Sequence, residues 1–170
     1  MSNEQSTAAG QQRVAQTEGL RRVRDDKVNL MHTDDYVRIE PSTPLHQAIE
    51  VMKQDEGGCA IVCDGDQVVG IFTERDLLTK IIGEEIDLNA PVSSWMSTTV
   101  STLTPDDTIG NAVDLMHFKS FRNIPLVKDG KLVGSISVFD VISYLAESYP
   151  KVTMNLPPSP NQVMDSTDGG

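Results

Sequence analysis

The chain has 170 residues, 38% of them hydrophobic and 23% charged, with a formal net charge of −11. That length fits one domain or two small ones around a real core, and the acidic balance excludes nucleic acid as the main partner, because phosphate binding needs a basic footprint. No apolar run approaches the ~20 residues of a membrane helix, and the polar start (Ser2, Asn3, Glu4, Gln5) is no secretion signal, so a cytoplasmic protein without a membrane partner is expected.

Residues 1–17, rich in Ser, Gln, Ala and Gly, are expected to be disordered. Residues 18–35 read as an N-terminal helix and lead-in, with Leu20, Val23, Leu30 and Met31 recurring among charges and the helix reaching about Met31. A first unit with its connector, 36–91, opens with a strand over 36–40. A helix follows, capped by Thr43 with Pro44 at its first position. Its buried stripe is Leu45, Ala48, Ile49 and Met52, at i, i+3, i+4 and i+7, and Gly57 and Gly58 end it. A strand over 60–63, a turn at Asp64-Gly65-Asp66 and a strand over 67–72 come next. Cys59 and Cys63, too far apart to bridge and without further ligands for zinc, read as buried thiols. Leu77, Leu78, Ile81 and Ile82 begin a helix, and 83–91 is a polar connector. The second unit is 92–149, and 150–170 is a Pro-containing tail expected to be disordered.

The second unit repeats the first. An ungapped shift of 64 residues lays Pro41 on Pro105, Ala48 on Ala112, Met52 on Met116, Val69 on Val133, Gly70 on Gly134 and Asp76 on Asp140. The fold class that follows is α+β, two β-α-β-β-α repeats. Neither unit, of about 50 residues, buries enough surface alone, so the two are expected to pack as one module.

The pattern centres on Gly70-Ile71-Phe72-Thr73-Glu74-Arg75-Asp76 and its copy, Gly134-Ser135-Ile136-Ser137-Val138-Phe139-Asp140. Each reads as a strand running straight into a helix. Thr73 with Asp76, and Ser137 with Asp140, have the spacing of helix capping boxes, worth about 1 kcal/mol each and needing no ligand. The same geometry also suits a nucleotide. A helix N-terminus attracts phosphate, a hydroxyl can donate to it, and a carboxylate one turn in accepts from the vicinal hydroxyls of a ribose. The two roles can coexist. His32, His46 and His117 have no metal-ligand spacing around them, and neither a phosphate loop nor a nucleophile–base arrangement stands out, so neither a metal site nor an enzyme is expected.

From about Val28 to Tyr149 the chain resembles a tandem pair of cystathionine-β-synthase (CBS) domains, a Bateman module. The resemblance is carried by the Gly70–Leu78 run, by Pro125-Leu126-Val127 with Asp129-Gly130-Lys131-Leu132-Val133-Gly134, by Pro41–Leu45 and by Thr104–Ile109. It implies a pseudo-two-fold pair with two clefts for an adenine nucleotide or adenosyl ligand (AMP, ADP, ATP, S-adenosylmethionine or NAD), no required cofactor, and a signal passed to a regulated partner protein. Carried over residue by residue, Thr73 and Asp76 serve one cleft and Ser137 and Asp140 the other. Arg122, before the second copy's central strand, would reach phosphate, and adenine would lie near Val37 and Val100. The motifs differ in that Val138 and Phe139 stand where Glu74 and Arg75 do. Residues 37–91 carry a net −7 and residues 92–148 a net −2, so the second copy is the easier host for an anion. The resemblance also implies a homodimer through helix faces bearing Leu77, Leu78, Ile81, Val141, Ile142 and Leu145. The alternative is a structural protein–protein adaptor with empty clefts.

Overall fold

The structure, a computed structural model, describes residues 18–19, 21–55 and 58–150. The expectations for residues 1–17 and 151–170, and for Leu20 and Gly57, lie outside them.

In the first copy β1 (Val37–Ile39) pairs in parallel with β2 (Cys59–Asp64), which turns back antiparallel into β3 (Gln67–Thr73). Helix α1 (Leu45–Asp55) packs on β1 and β2, and α2 (Glu74–Asp76) follows β3 directly. The second copy holds α3 (Ile109–Lys119), β4 (Asn123–Lys128), β5 (Lys131–Ser137) and α4 (Val138–Ser148). The bounds of α1, β2 and β3 return 64 residues later in α3, β4 and β5. So does the register irregularity, after Val62 in one copy and Leu126 in the other. The α+β pair of repeats is therefore as read.

Three local expectations change. The first strand of the second copy shrinks to one parallel bridge, Leu103 to Leu126, the counterpart of Ile39 to Val62. In the first copy Arg38 ties that strand to the hairpin turn through the Gly65 carbonyl and, at 3.1 Å, Asp66. The counterpart of Arg38 is Thr102, which has no such reach. Next, α1 starts at Leu45. Thr43 instead accepts from its own turn, the Glu40 N–H (3.1 Å), while the Leu45 and His46 N–H groups donate to Ala90 and Leu88 carbonyls of the connector (2.9 and 3.0 Å). Thr108 does cap α3, accepting from the Asn111 N–H at 3.1 Å. Last, the N-terminal helix ends at residue 25 and gives way to a 3-10 turn, Val28–Leu30.

That early end follows from where the lead-in goes. Val28 donates to the Asp107 carbonyl (2.9 Å) and Asn29 to Pro105 (3.1 Å), while the Thr33 carbonyl accepts from Ser135 (2.9 Å), all in the second copy. Backbone groups so engaged cannot also bond within a helix. The second lead-in mirrors it on the first copy: Val92 to Thr43 (2.8 Å), Ser93 to Pro41 (3.2 Å) and Ile71 to Ser97 (2.9 Å). The lead-ins are exchanged, so each hydrophobic core is built from both halves of the chain. Val23, Val28 and Met31 pack with Ile109, Ile124, Leu126 and Ile136; Val92, Trp95 and Met96 pack with Leu45, Ala60, Val62 and Phe72. Cys59 and Cys63 are buried thiols that form no disulfide, and burial pushes the Cys63 thiol up.

The motif glycines are where the exchange is tightest. A Cβ on Gly134 would stand 2.9 Å from the Thr33 carbonyl oxygen, and one on Gly70 would stand 2.3 Å from Met96 Sδ.

Candidate functional site: two unequal clefts between the repeats

The exchange places two cavities between the copies, each lined by residues from both. The larger, about 830 Å³, is lined by Thr73, Glu74, Arg75 and Asp76 of the first motif and by Ser97, Thr98, Thr99, Ser120 and Arg122. The smaller, about 370 Å³, is lined by Ser137, Phe139 and Asp140 of the second motif and by Asp35, Tyr36, Val37, Cys59 and Asn123. Both fall in or near the ~300–1,000 Å³ of small-molecule sites.

Both motifs form capping boxes. Asp76 Oδ2 accepts from the Thr73 N–H (3.0 Å) and hydroxyl (2.7 Å), and Asp140 Oδ2 from the Ser137 N–H (2.6 Å) and hydroxyl (2.7 Å). The second carboxylate oxygens differ. Asp76 Oδ1 accepts from Ser97 Oγ (2.8 Å) and pairs with Lys80 Nζ (2.7 Å), which also donates to the Trp95 carbonyl (2.8 Å). Asp76 is only 5% exposed. Burial alone would raise its pKa, but the bonds from Lys80, Thr73 and Ser97 outweigh it and hold the carboxyl below its ordinary range. Asp140 is half-buried, and its Oδ1 has no hydrogen-bond partner among the described residues.

The inequality has a local cause. After α2 the chain makes a π-helical turn, Leu77–Ile81, closed by the Ile82 N–H on the Leu77 carbonyl (3.1 Å), and Lys80 sits within it. Helix α4 is regular, and the counterpart of Lys80 is Tyr144, whose hydroxyl donates to Asp26 (2.9 Å).

Thr73 and Asp76 thus share one cavity and Ser137 and Asp140 the other. Val37 lines the smaller cavity, whereas Val100 lines neither; Thr98 and Thr99 stand in that part of the wall. Arg122 belongs with Thr73 and Asp76 of the first copy. Its carbonyl accepts from Val138 of its own copy (3.0 Å), while its guanidinium reaches 3.9 Å from Glu74 across the cleft. With 82% and 63% of those side chains exposed, that pair holds Arg122 weakly. Arg75 donates to the Ser120 carbonyl at 3.4 Å, so guanidiniums from both copies flank the larger cavity.

Lys80, Ser97, Asp35, Tyr36 and Phe139 were not legible as site residues. Lys80, four after Asp76, carries a helix-pair spacing that could have pointed to it; Ser97 has no such signal, because the exchanged lead-in brings it in. Among the described residues there is no His, Cys, Asp and Glu group fit for a metal ion, and no helix long and apolar enough to cross a membrane.

Comparison with known proteins agrees with this architecture. A family model described as the CBS domain matches residues 23–83 and 92–147. An uncharacterized 17.7-kDa protein of Acidianus ambivalens is 32% identical over 123 residues, 71% of this chain and 74% of that one. The chain spans only 45% and 52% of two longer relatives, from Methanocaldococcus jannaschii and Methanopyrus kandleri. Among solved structures, a CBS-domain protein of Agrobacterium tumefaciens superposes with a TM-score of 0.59 at 30% identity, covering 65% of this chain and 89% of that one. The cytosolic domain of the Mg2+ channel MgtE, solved in complex with ATP, superposes with a TM-score of 0.59 at 23% identity, covering 77% and 53%.

Proposed function

The chain belongs to the CBS-domain family, whose paired domains are generally regulatory modules that bind adenosyl ligands and are not catalytic, and on that premise we propose that it senses an adenine nucleotide in the larger cavity and passes the signal to a partner protein. One observation carries this reading: Arg75 of one copy and Arg122 of the other flank a single cavity that also holds the helix start at Thr73. Phosphate is suited to such a place, because a guanidinium offers a planar fork of donors and stays charged at any relevant pH. A ligand held by both copies favours one relative arrangement of them, and that population shift is the signal. The MgtE domain, solved with ATP, supports a nucleotide as the ligand class.

The module acts as a homodimer. Of the helix residues on which that expectation rested, Ile81 and Val141 are buried and Leu77 and Leu145 pack on the cores. Leu78 and Ile142, 64 residues apart, are 64% and 56% exposed, and Ile82, four residues after Leu78, is 63% exposed. Two copies meeting on these helices would cover that surface.

A second reading, an adaptor with empty clefts, draws on Asp76, whose oxygens are already engaged by Thr73, Ser97 and Lys80. Thermal shift separates the two. AMP, ADP, ATP, S-adenosylmethionine or NAD at 100 times its dissociation constant stabilises the fold by about 2.7 kcal/mol, a rise of roughly 5–10 °C. No shift with any of them, on protein freed of nucleotide, establishes the adaptor.

A further inference from the structure

The two cavities are built from corresponding positions, and where those positions differ the charge changes. Arg75 of the larger cavity corresponds to Phe139 of the smaller and Thr99 to Asp35, while Gly58, the counterpart of Arg122, brings no charge and lines the larger cavity beside it. The larger cavity therefore balances two guanidiniums against Glu74 and Asp76. Among the described residues, the smaller is lined by two carboxylates, Asp35 and Asp140, and by no basic side chain.

Resting on the adenosyl-binding reading above, we propose that the smaller cavity takes a positively charged nucleoside and rejects nucleotides, which carry phosphate, and that Asp35 sets this preference. A phosphate brought there loses water and meets only like charge, whereas a cation meets unlike charge. The aromatic walls suit the same ligand. Tyr36 packs its ring on the seam of Ile61, Cys63 and Leu132, and Phe139 stands 73% exposed at the rim. Such faces accept a purine by stacking and a cation by its attraction to the ring. Asp140 Oδ1, without a partner among the described residues, is available to a ribose hydroxyl. Asp76, in the larger cavity, offers no such oxygen until Ser97 or Lys80 lets go.

Three probes that differ only at the 5′ position test this by calorimetry on the full chain: 5′-amino-5′-deoxyadenosine, adenosine and AMP. The ammonium compound is expected to bind roughly tenfold tighter than adenosine, the size of one charge-assisted contact. Asp35→Asn, at an exposed position, is expected to abolish that advantage and to leave the Arg122-dependent binding of AMP unchanged. Phe139→Arg is expected to turn the smaller cavity towards AMP. Equal binding of the ammonium and neutral nucleosides, or an advantage that survives Asp35→Asn, overturns the proposal. If AMP still binds through Arg122 in that event, this inference fails alone. If none of the three binds, the adenosyl-binding reading fails with it.

Discussion

Lys80 Nζ lies 2.7 Å from Asp76 Oδ1, an ion pair for which the second copy has no counterpart, because Tyr144 occupies the matching position and donates to Asp26. One repeated motif thereby becomes a closed structural joint in the first copy and a half-open one in the second. Lys80 also reaches the Trp95 carbonyl and, at 3.4 Å, Ser97, so it fastens the first helix start to the exchanged lead-in.

Acid titration reads this joint. The folded pKa of Asp76 is depressed, so its contribution to stability is present above the unfolded value near 3.8 and is lost as pH falls through the folded one. Lys80→Met strands a buried carboxylate and is expected to cost about 1–2 kcal/mol at pH 7, at the lower end for an uncompensated charged group because Lys80 is partly exposed. Chemical denaturation should show the gap between wild type and variant closing below about pH 4. A gap independent of pH would mean that Lys80 acts by packing its stem.

The two aspartates should respond differently to the same change. Asp76→Asn is expected to lower stability by about 1–3 kcal/mol, because four hydrogen-bonding contacts converge on its oxygens. Asp140→Asn loses a cap worth about 1 kcal/mol, and is expected to weaken nucleoside binding by about 1.5–3 kcal/mol. Thermal melts and titration of adenosine against both variants measure this. Unchanged adenosine affinity in Asp140→Asn would leave Asp140 with a capping role alone.

Arg122→Ala is expected to cost about 1.5–3 kcal/mol of AMP affinity, or roughly ten- to a hundred-fold, and to flatten the salt dependence of AMP binding. Adenosine, which lacks phosphate, should bind almost unchanged. Losing the exposed contact to Glu74 should leave the melting temperature near that of wild type. Equal losses for AMP and adenosine would assign Arg122 to the shape of the cleft.

Gly134→Ala is expected to destabilise by about 1–3 kcal/mol, since the new methyl group meets a backbone carbonyl, Thr33 O, at 2.9 Å. Gly70→Ala meets the Met96 side chain, so pairing it with Met96→Ala should recover part of its loss. Denaturant melts of the single and double variants decide the point, and additive losses would show that the close approach is not the cause.

Ile142→Glu, at an exposed position, is expected to leave the fold intact and to give a monomer of 18.6 kDa by light scattering, with wild type at twice that mass. A wild-type protein already monomeric at micromolar concentration would remove the dimer from the proposed function.

The amino-acid sequence by itself determined what depends on local spacing. The shift of 64 residues carried the helices, the hairpins and the two Thr/Ser–Asp helix starts into the structure nearly position by position. Those features rest on neighbours within a few residues: turn glycines, apolar stripes, a hydroxyl three before a carboxylate. The tertiary structure decided what depends on distant partners. It exchanged the lead-ins, stopping a helix at residue 25 because the backbone of Val28 and Asn29 bonds across to Asp107 and Pro105. It moved Arg122 into the cavity of the first motif and brought Ser97 to Asp76, 21 positions away. Spacing along the chain does not encode which copy a side chain faces when two copies with the same apolar pattern can pack either way; that choice is made by the joint burial of both cores.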